Sequence, residues 1–424
     1  MIGPVTAPSG YQLVDLPRER GRELLDIDSW AFVFAVRPSE VEAVLDGFPF
    51  DRGRAVGIVD PARGPVGTLA AVHASFEFAM RVPGGGIIRT AGLTWVGVHQ
   101  GHRRRGLLTA MIADHFARSI ARGEPVSTLF AAEPAIYQRF GYGLAARDLR
   151  MKLGRKPELR EVAGSDELSV TLESCSLETH GPIVRAFQAG HQRPGTNVTI
   201  PDSQLASLLV DVESNREDAE PLRFATVRDG DTVVAWATFR RKGTWEDSEP
   251  DGVAKVIAWG ATTAAATHRL WSVLTDFDLM TSTRSWAMAV DDPLVHLLVD
   301  ERAAKPDVRD NLWVRILDVK AALEGRGYES DADVVLLVSD AQVPENAGLW
   351  RVTIADGAAR VAQAPGSSPD LTIGIQELGA AYLGGVRIEA LVNAALVTEN
   401  TPGAAKALGR AMVSPLAPVS NFMF

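Results

Sequence analysis

The stretch from Thr94 to Thr109 reads Thr-Trp-Val-Gly-Val-His-Gln-Gly-His-Arg-Arg-Arg-Gly-Leu-Leu-Thr and constrains the fold more than any other. Trp95, Val96 and Val98 make a short β-prone run. Gln100 to Gly106 is a polar, basic turn with two glycines. Leu107, Leu108, Met111, Ile112 and Phe116 then recur at the three-to-four-residue spacing of a helix. A strand that passes through a basic glycine turn into a helix is a layout for holding phosphate. The helix start offers free N–H groups and a partial positive charge, and successive N–H groups of the turn form a concave anion nest.

The rest of the chain sets limits on that reading. At 424 residues it exceeds one hydrophobic core, so two or three domains are expected. A net charge of −10 argues against a general nucleic-acid or membrane-surface binder, which makes Arg103 to Arg105 a local exception. The single cysteine, Cys175, allows no disulfide framework and fits a reducing, cytoplasmic compartment. It has no nucleophile's context and reads as buried filler. Met1 to Gly10 lacks the basic start and apolar run of a signal peptide, and no apolar run reaches spanning length. The histidines are scattered without a His-x-x-x-His pair, so no metal is expected, and there is no Gly-x-Ser-x-Gly elbow.

Taken in order, helices are expected at 24–35 and 39–45, the second capped by Ser39 with Glu42. Strands are expected at 54–60, 66–73, 76–82 and 87–98, then the helix 105–122, a strand at 126–132, a short helix at 133–140 and a strand at 144–153. This is an α/β unit of about 150 residues. A second unit has helices at 177–188 and 202–211, strands at 222–228, 232–240 and 254–260, and a helix at 267–280. Its order echoes the first, which suggests a diverged duplication. Its equivalent turn, Gly260 to Arg269, has lost the basic cluster, so only the first unit is expected to bind an anionic cofactor. A third part has strands at 334–339, 349–355 and 371–375 and helices at 375–384, 388–397 and 404–412. The expected divisions are 1–155, 156–305 and 306–424.

Val96-Gly-Val98 followed by Arg103-Arg-Arg-Gly106-Leu-Leu resembles the coenzyme-A-binding core of the GCN5-related N-acetyltransferases. His102-Arg-Arg-Arg-Gly-Leu-Leu with Ile136-Tyr-Gln-Arg-Phe-Gly-Tyr-Gly143 looks more closely like the Eis (enhanced intracellular survival) family. So do Asp292-Pro-Leu-Val-His-Leu-Leu298, Leu323-Glu-Gly-Arg-Gly-Tyr328 and a chain ending in Phe. The resemblance implies an α/β (α+β) architecture of two tandem acetyltransferase-like domains, the second degenerate, and a C-terminal sterol-carrier-like domain. It implies a homo-hexamer and acetyl transfer from acetyl-CoA to amines such as polyamines, aminoglycosides or lysines.

Each site has its own physics. Backbone N–H groups and side chains of Arg103, Arg104, Arg105 and Gly106, with Leu107, Leu108 and Thr109 at the helix start, are expected to hold the pyrophosphate. A Cβ on Gly106 would keep the backbone off it. Val96, Gly97 and Val98 would pair with the pantetheine arm as an added strand, and Glu133 is placed beside the cofactor. The resemblance makes Tyr137 the general acid for the departing thiolate, where residue chemistry alone reads a tyrosine packed beside Phe140 and Tyr142. It makes the terminal carboxylate of Phe424 the general base. An apolar end, Phe422-Met-Phe424, prefers burial in any case. Trp30, Trp95, Asp28, Asp292 and Met423 are the candidate acceptor contacts. Core packing is as good a reading for the tryptophans, and capping for the acids. Ala132 and Met423 stand where acidic or polar residues occur in the resembling family, which weakens the case for broad aminoglycoside acetylation. Lysine acetylation on peptides, and an idle lipid- or ligand-binding protein, are the alternatives.

Overall fold

The computed structural model describes residues 5–33 and 37–424. The first four residues of Met1 to Gly10, and the end of the helix expected to reach Ala35, lie outside them. Four strands form an antiparallel meander: β1 (Gln12–Asp15), β2 (Ala55–Asp60), β3 (Thr68–Arg81) and β4 (Ile87–Val98). β5 (Val126–Leu129) lies parallel to β4, paired only from Thr90 opposite Val126 to Gly92 opposite Thr128. Helices α1 (Gly21–Phe32) and α2 (Val41–Asp46) separate β1 from β2, and α3 (Leu107–Ala121) crosses from β4 to β5. α4 (Pro134–Gln138) follows.

The helical spacing read in the sequence is realised in α3. Leu107, Met111, Ile112 and Phe116 are buried against the sheet, each such side chain contributing roughly 1.5–3 kcal/mol. The strands expected at 66–73 and 76–82 are one, β3, because Ala74-Ser75 supplies no turn residue. The Ser39 cap is not formed. The 37–40 segment closes on itself through the Glu40 N–H to the Arg37 carbonyl, and α2 begins at Val41 with no side-chain cap.

A second sheet repeats the plan. Its order is Ser169–Ser174, Arg223–Asp229, Thr232–Lys242, Gly252–Ala261, Met280–Arg284 and Lys152–Gly154. The fourth and fifth strands again run parallel, as β4 and β5 do. The helix expected at 267–280 is Ala264–Leu274, since Thr263 caps it earlier, and Met280 opens a strand. A third, five-stranded sheet carries Ala332–Ser339 at its centre, with helices Ile375–Ala381, Ile388–Asn393 and Ala404–Met412. The expected helix 388–397 stops at Asn393 because Val397–Glu399 joins this sheet as an edge strand. Cys175 is half-buried between strand and helix in the second unit, and burial pushes its thiol up to about 12. Among the described residues no helix is long and apolar enough to cross a membrane.

Two strands cross the expected divisions. The single strand read at 144–153 is three short pieces in three sheets. Gly143–Leu144 stays in the first, Arg147–Arg150 pairs with Asp307–Asp310, and Lys152–Gly154 joins the second. Trp313–Ile316, from the far side of the second unit, lies between β5 and Gly143–Leu144 in the first sheet. Its Arg315 is fully buried and bonds both carboxylate oxygens of Asp340 at 2.7 Å, while its guanidinium carbon lies 5.0 Å from the centre of the Phe116 ring. Asp340→Ala leaves that guanidinium buried without its partner. The expected loss is about 3–5 kcal/mol, read as a fall in denaturant midpoint, and a loss under about 1 kcal/mol would show that the joint does not depend on the pair.

Candidate active site

The basic turn leaves β4 at Val98. His99 accepts the Gly101 N–H at 3.1 Å and caps the one-turn helix Gln100–His102. Gly106 takes φ +79 at the N-cap of α3, a conformation that suits glycine and starts the helix two residues later than its sequence suggested. No side chain caps α3, so its first N–H groups face outward. Arg103, Arg104 and Arg105 are exposed around it. Arg103 reaches Gln100 at 3.3 Å and Arg105 the Tyr11 hydroxyl at 2.8 Å. Leu107 is buried, Leu108 half-buried and Thr109 exposed. The equivalent helix of the second unit is closed, because the Thr263 hydroxyl accepts the Ala266 N–H at 3.1 Å. These features fit an anionic cofactor on the first unit.

β4 carries a bulge just before this turn. Val72 faces Gly97 while Ala74 faces Thr94, so β4 spends one residue more than β3. Trp95 takes φ +53 there, which costs roughly 1–2 kcal/mol for a residue with a Cβ. β4 and β5 part beyond Gly92, which leaves the Val96–Val98 edge open toward the gap.

A cavity of about 530 Å³ occupies the parting. Trp95, Val96, Ala132, Tyr137, Met423 and Phe424 all line it. The Phe424 ring stands 4.7 Å from Phe78 and 5.3 Å from Phe130, over Gly92, where a Cβ would come within 3.0 Å of it. Asn311 clamps the tail, accepting the Ser420 N–H at 2.7 Å and donating to the Ser420 carbonyl at 3.1 Å. Tyr137 is half-buried, and burial with the nearby Glu133 carboxylate pushes its phenol up to about 12. Tyr142 is instead fully buried and locked to Ser127 at 2.7 Å, which also meets His115. Glu133 itself is exposed at the N-cap of α4.

Three expected acceptor contacts lie elsewhere. Trp30 is exposed and edge-on to His99, their rings 5.8 Å apart. Asp292 belongs to the second unit, where its carboxylate caps the helix Pro293–Leu297, and burial raises it to about 6. Asp28 is completely buried behind Gly97, whose Cβ would approach it to 3.0 Å. Both of its carboxylate oxygens lack a partner, and burial raises it to about 8. The cavity instead holds Phe32, Asp148, Arg150, Trp286, Arg309 and Asp310, which sequence reasoning missed. A signal existed. Arg147-Asp-Leu-Arg150 and Asp307-Val-Arg-Asp310 pair antiparallel so that each charge faces its opposite and Leu149 faces Val308. Among the described residues no three His, Cys, Asp or Glu side chains gather as a metal site.

Asp28 makes stability fall with pH. The unfolded carboxyl loses its proton near pH 4, the folded one near about 8, so the fold binds the extra proton in between. Asp28→Asn removes this effect. The variant is expected to gain on the parent by several kcal/mol between about pH 4 and about pH 8 in denaturant melts. A constant difference over that range would show that Asp28 ionises normally.

The acetyltransferase (GNAT) domain family matches residues 19–145 and, in a second form, 205–316, and the sterol carrier protein domain family matches 319–420. An uncharacterized N-acetyltransferase of Streptomyces avermitilis is 37% identical over 369 residues, 86% of this chain and 88% of its own. N-acetyltransferase Eis of Mycobacterium tuberculosis is 32% identical over 346 residues, 80% of this chain and 81% of its own. The crystal structure of Eis1 from Mycobacterium abscessus superposes with a TM-score of 0.80 at 26% identity, over 97% of this chain and 100% of that one. A two-unit acetyltransferase fold, a third sterol-carrier unit and these relatives place the chain in the Eis family of GCN5-related N-acetyltransferases.

Proposed function

We propose that the chain transfers acetyl from acetyl-CoA directly to a primary amine of a small acceptor seated between Trp95 and Phe424. The observation that carries this reading is that Tyr137 and Phe424, remote in sequence, line one cavity at the open edge of β4. When bound, acetyl-CoA supplies an activated acetyl thioester. The exposed arginines 103–105 and the α3 N–H groups from Gly106 to Thr109 hold its phosphates, and the Val96–Val98 edge bonds its pantetheine amides. Glu133, exposed at the N-cap of α4, lies close enough to act on Tyr137.

Tyr137 keeps its proton throughout the physiological range. Complete transfer from a phenol near 12 to a thiolate whose acid lies near 8.5 is uphill by roughly 5 kcal/mol. Tyr137 therefore acts as a hydrogen-bond donor that follows negative charge as it builds on sulfur. The Phe424 carboxylate, free where Phe424 is the last residue, receives the proton that the attacking amine loses. Asn311 and the phenyl contacts position it.

Polyamines and aminoglycosides are the acceptors that the resemblance supports, with peptide lysine as the alternative. Asp148 and Asp310 offer carboxylates to an ammonium, although Asp148 already meets Arg150 at 3.1 Å and Asp310 accepts from Trp313 at 3.0 Å. Ala132 and Met423 add no charge. The same reading includes the divisions at 155 and 305 with two strands exchanged across them. It also includes a homo-hexamer carried from the resemblance and a cytoplasmic setting supported by the lone Cys175.

Two variants test the chemistry. Tyr137→Phe is expected to lower turnover about 10²–10⁴-fold in a thiol-release assay while calorimetric acetyl-CoA affinity is unchanged, and full activity would remove Tyr137 from the mechanism. Appending a short Gly-Ser segment after Phe424 is expected to abolish turnover with an unchanged melting temperature. Normal rates in the extended protein would rule out the terminal base.

A further inference from the structure

The second sheet carries four basic residues in one row. Arg240 faces Lys255, Lys255 stands beside Arg284, and Arg284 faces Lys152, across four neighbouring strands. All four line one open cavity of about 640 Å³, and Arg150, Lys305 and Arg309 extend the positive wall. Like charges directly opposite each other destabilise a sheet. This chain has a net charge of −10 and acids to spare, so the row is not a by-product of a basic composition.

The row is only partly neutralised. Arg240 is ion-paired to Asp211 and Lys255 meets Glu217 at 3.5 Å. Asp307, also in the wall, is held by Arg309 at 2.7 Å. Lys152 and Arg284, adjacent in the row, have no ion pair among the described residues. The basin adjoins the acceptor cavity. Trp286, Arg150 and Arg309 line both, and the Arg150 guanidinium lies 3.8 Å over the Trp286 ring at their common boundary.

We propose that this basin receives an anionic group, phosphate or carboxylate, carried by the acceptor whose amine is acetylated at Tyr137 and Phe424. The inference rests on the acetyl-transfer reading above but replaces the polycationic acceptors of the resemblance with another substrate class: an amine with a remote anionic group. A polycation would meet nine basic side chains on this wall, against the carboxylates of Glu217 and Asp307. An anion there neutralises Lys152 and Arg284 and relieves the repulsion along the row.

The test uses matched acceptors: α,ω-diamines, ω-aminoalkyl phosphates and ω-amino carboxylates over a series of chain lengths, followed by thiol release at low ionic strength. Anionic acceptors are expected to exceed the diamine of equal length at least about ten-fold in kcat/KM, with an optimum length, and the Lys152→Gln/Arg284→Gln protein is expected to lose that advantage. The better of the phosphate and carboxylate series identifies the group. Equal or better diamines overturn the proposal. No turnover with any series strikes the acetyl-transfer reading instead, and a binding measurement then decides the basin. Inorganic phosphate is expected to raise the melting temperature of the parent more than that of the double variant. The Arg103–Arg105 turn is common to both proteins and cancels, so equal shifts overturn the basin whatever the turnover.

Discussion

The ion pair of Arg315 with Asp340 joins the units around the active site. Its burial is only partly compensated: one guanidinium nitrogen reaches both carboxylate oxygens, another donates to the Ile316 carbonyl at 2.6 Å and Phe116 offers its face, while desolvation still lowers the guanidinium pKa and Nε has no partner. The strand that carries Arg315 occupies the outer edge of β5 along its whole length, from Val126 to Leu129. β5 is therefore fixed by a partner from the third part of the chain. β4, bent by the bulge at Trp95, leaves it beyond Gly92. The gap proposed for the cofactor arm follows from these two constraints, one a long-range ion pair and the other a local strained residue.

The same arrangement explains how the tail reaches the first unit. Phe422 packs against the core of the second unit, Asn311 of the linking segment holds Ser420, and the Phe424 ring fills the space over Gly92. Each unit thus contributes to one cavity, and the third unit's sheet shares a continuous core with Met80, Ile88 and Val126 of the first. The geometry of the proposed site and folding are coupled here, since the cavity is complete only when all three units are docked.

What was legible in the sequence is what depends on local chemistry. The strand, glycine turn and helix from Thr94 to Thr109 encode their own conformations, and the apolar tail is only half buried, with Phe422 and Phe424 packed while Met423 stays exposed. Strand Trp313–Ile316 was not legible, because its four residues lack a period and derive their identity from β5, far away in sequence. The strand read at 144–153 failed for the opposite reason. Its run of residues without glycine or proline hides two short breaks that send three pieces to three sheets. Asp28 and Asp292 look alike as isolated acids. The Pro after Asp292 already marks it as a cap, whereas only tertiary context leaves Asp28 buried without a partner. The basic row is invisible for the same reason, since Lys152, Arg240, Lys255 and Arg284 are dispersed and become neighbours only through strand register.

The two acetyltransferase-like units have diverged at equivalent structural positions. In the first, the helix after the fourth strand starts on a left-handed glycine with no cap and three exposed arginines. In the second, Thr263 supplies the missing acceptor, and a helix start satisfied by its own side chain has little left to offer an anion. The positive charge of the second unit lies instead on the face of its sheet, turned toward the acceptor cavity of the first. A duplicated unit freed from holding cofactor phosphates keeps its scaffold, because the scaffold still places strand Lys152–Gly154, Trp286 and the tail. On the proposed reading its charges serve the other substrate.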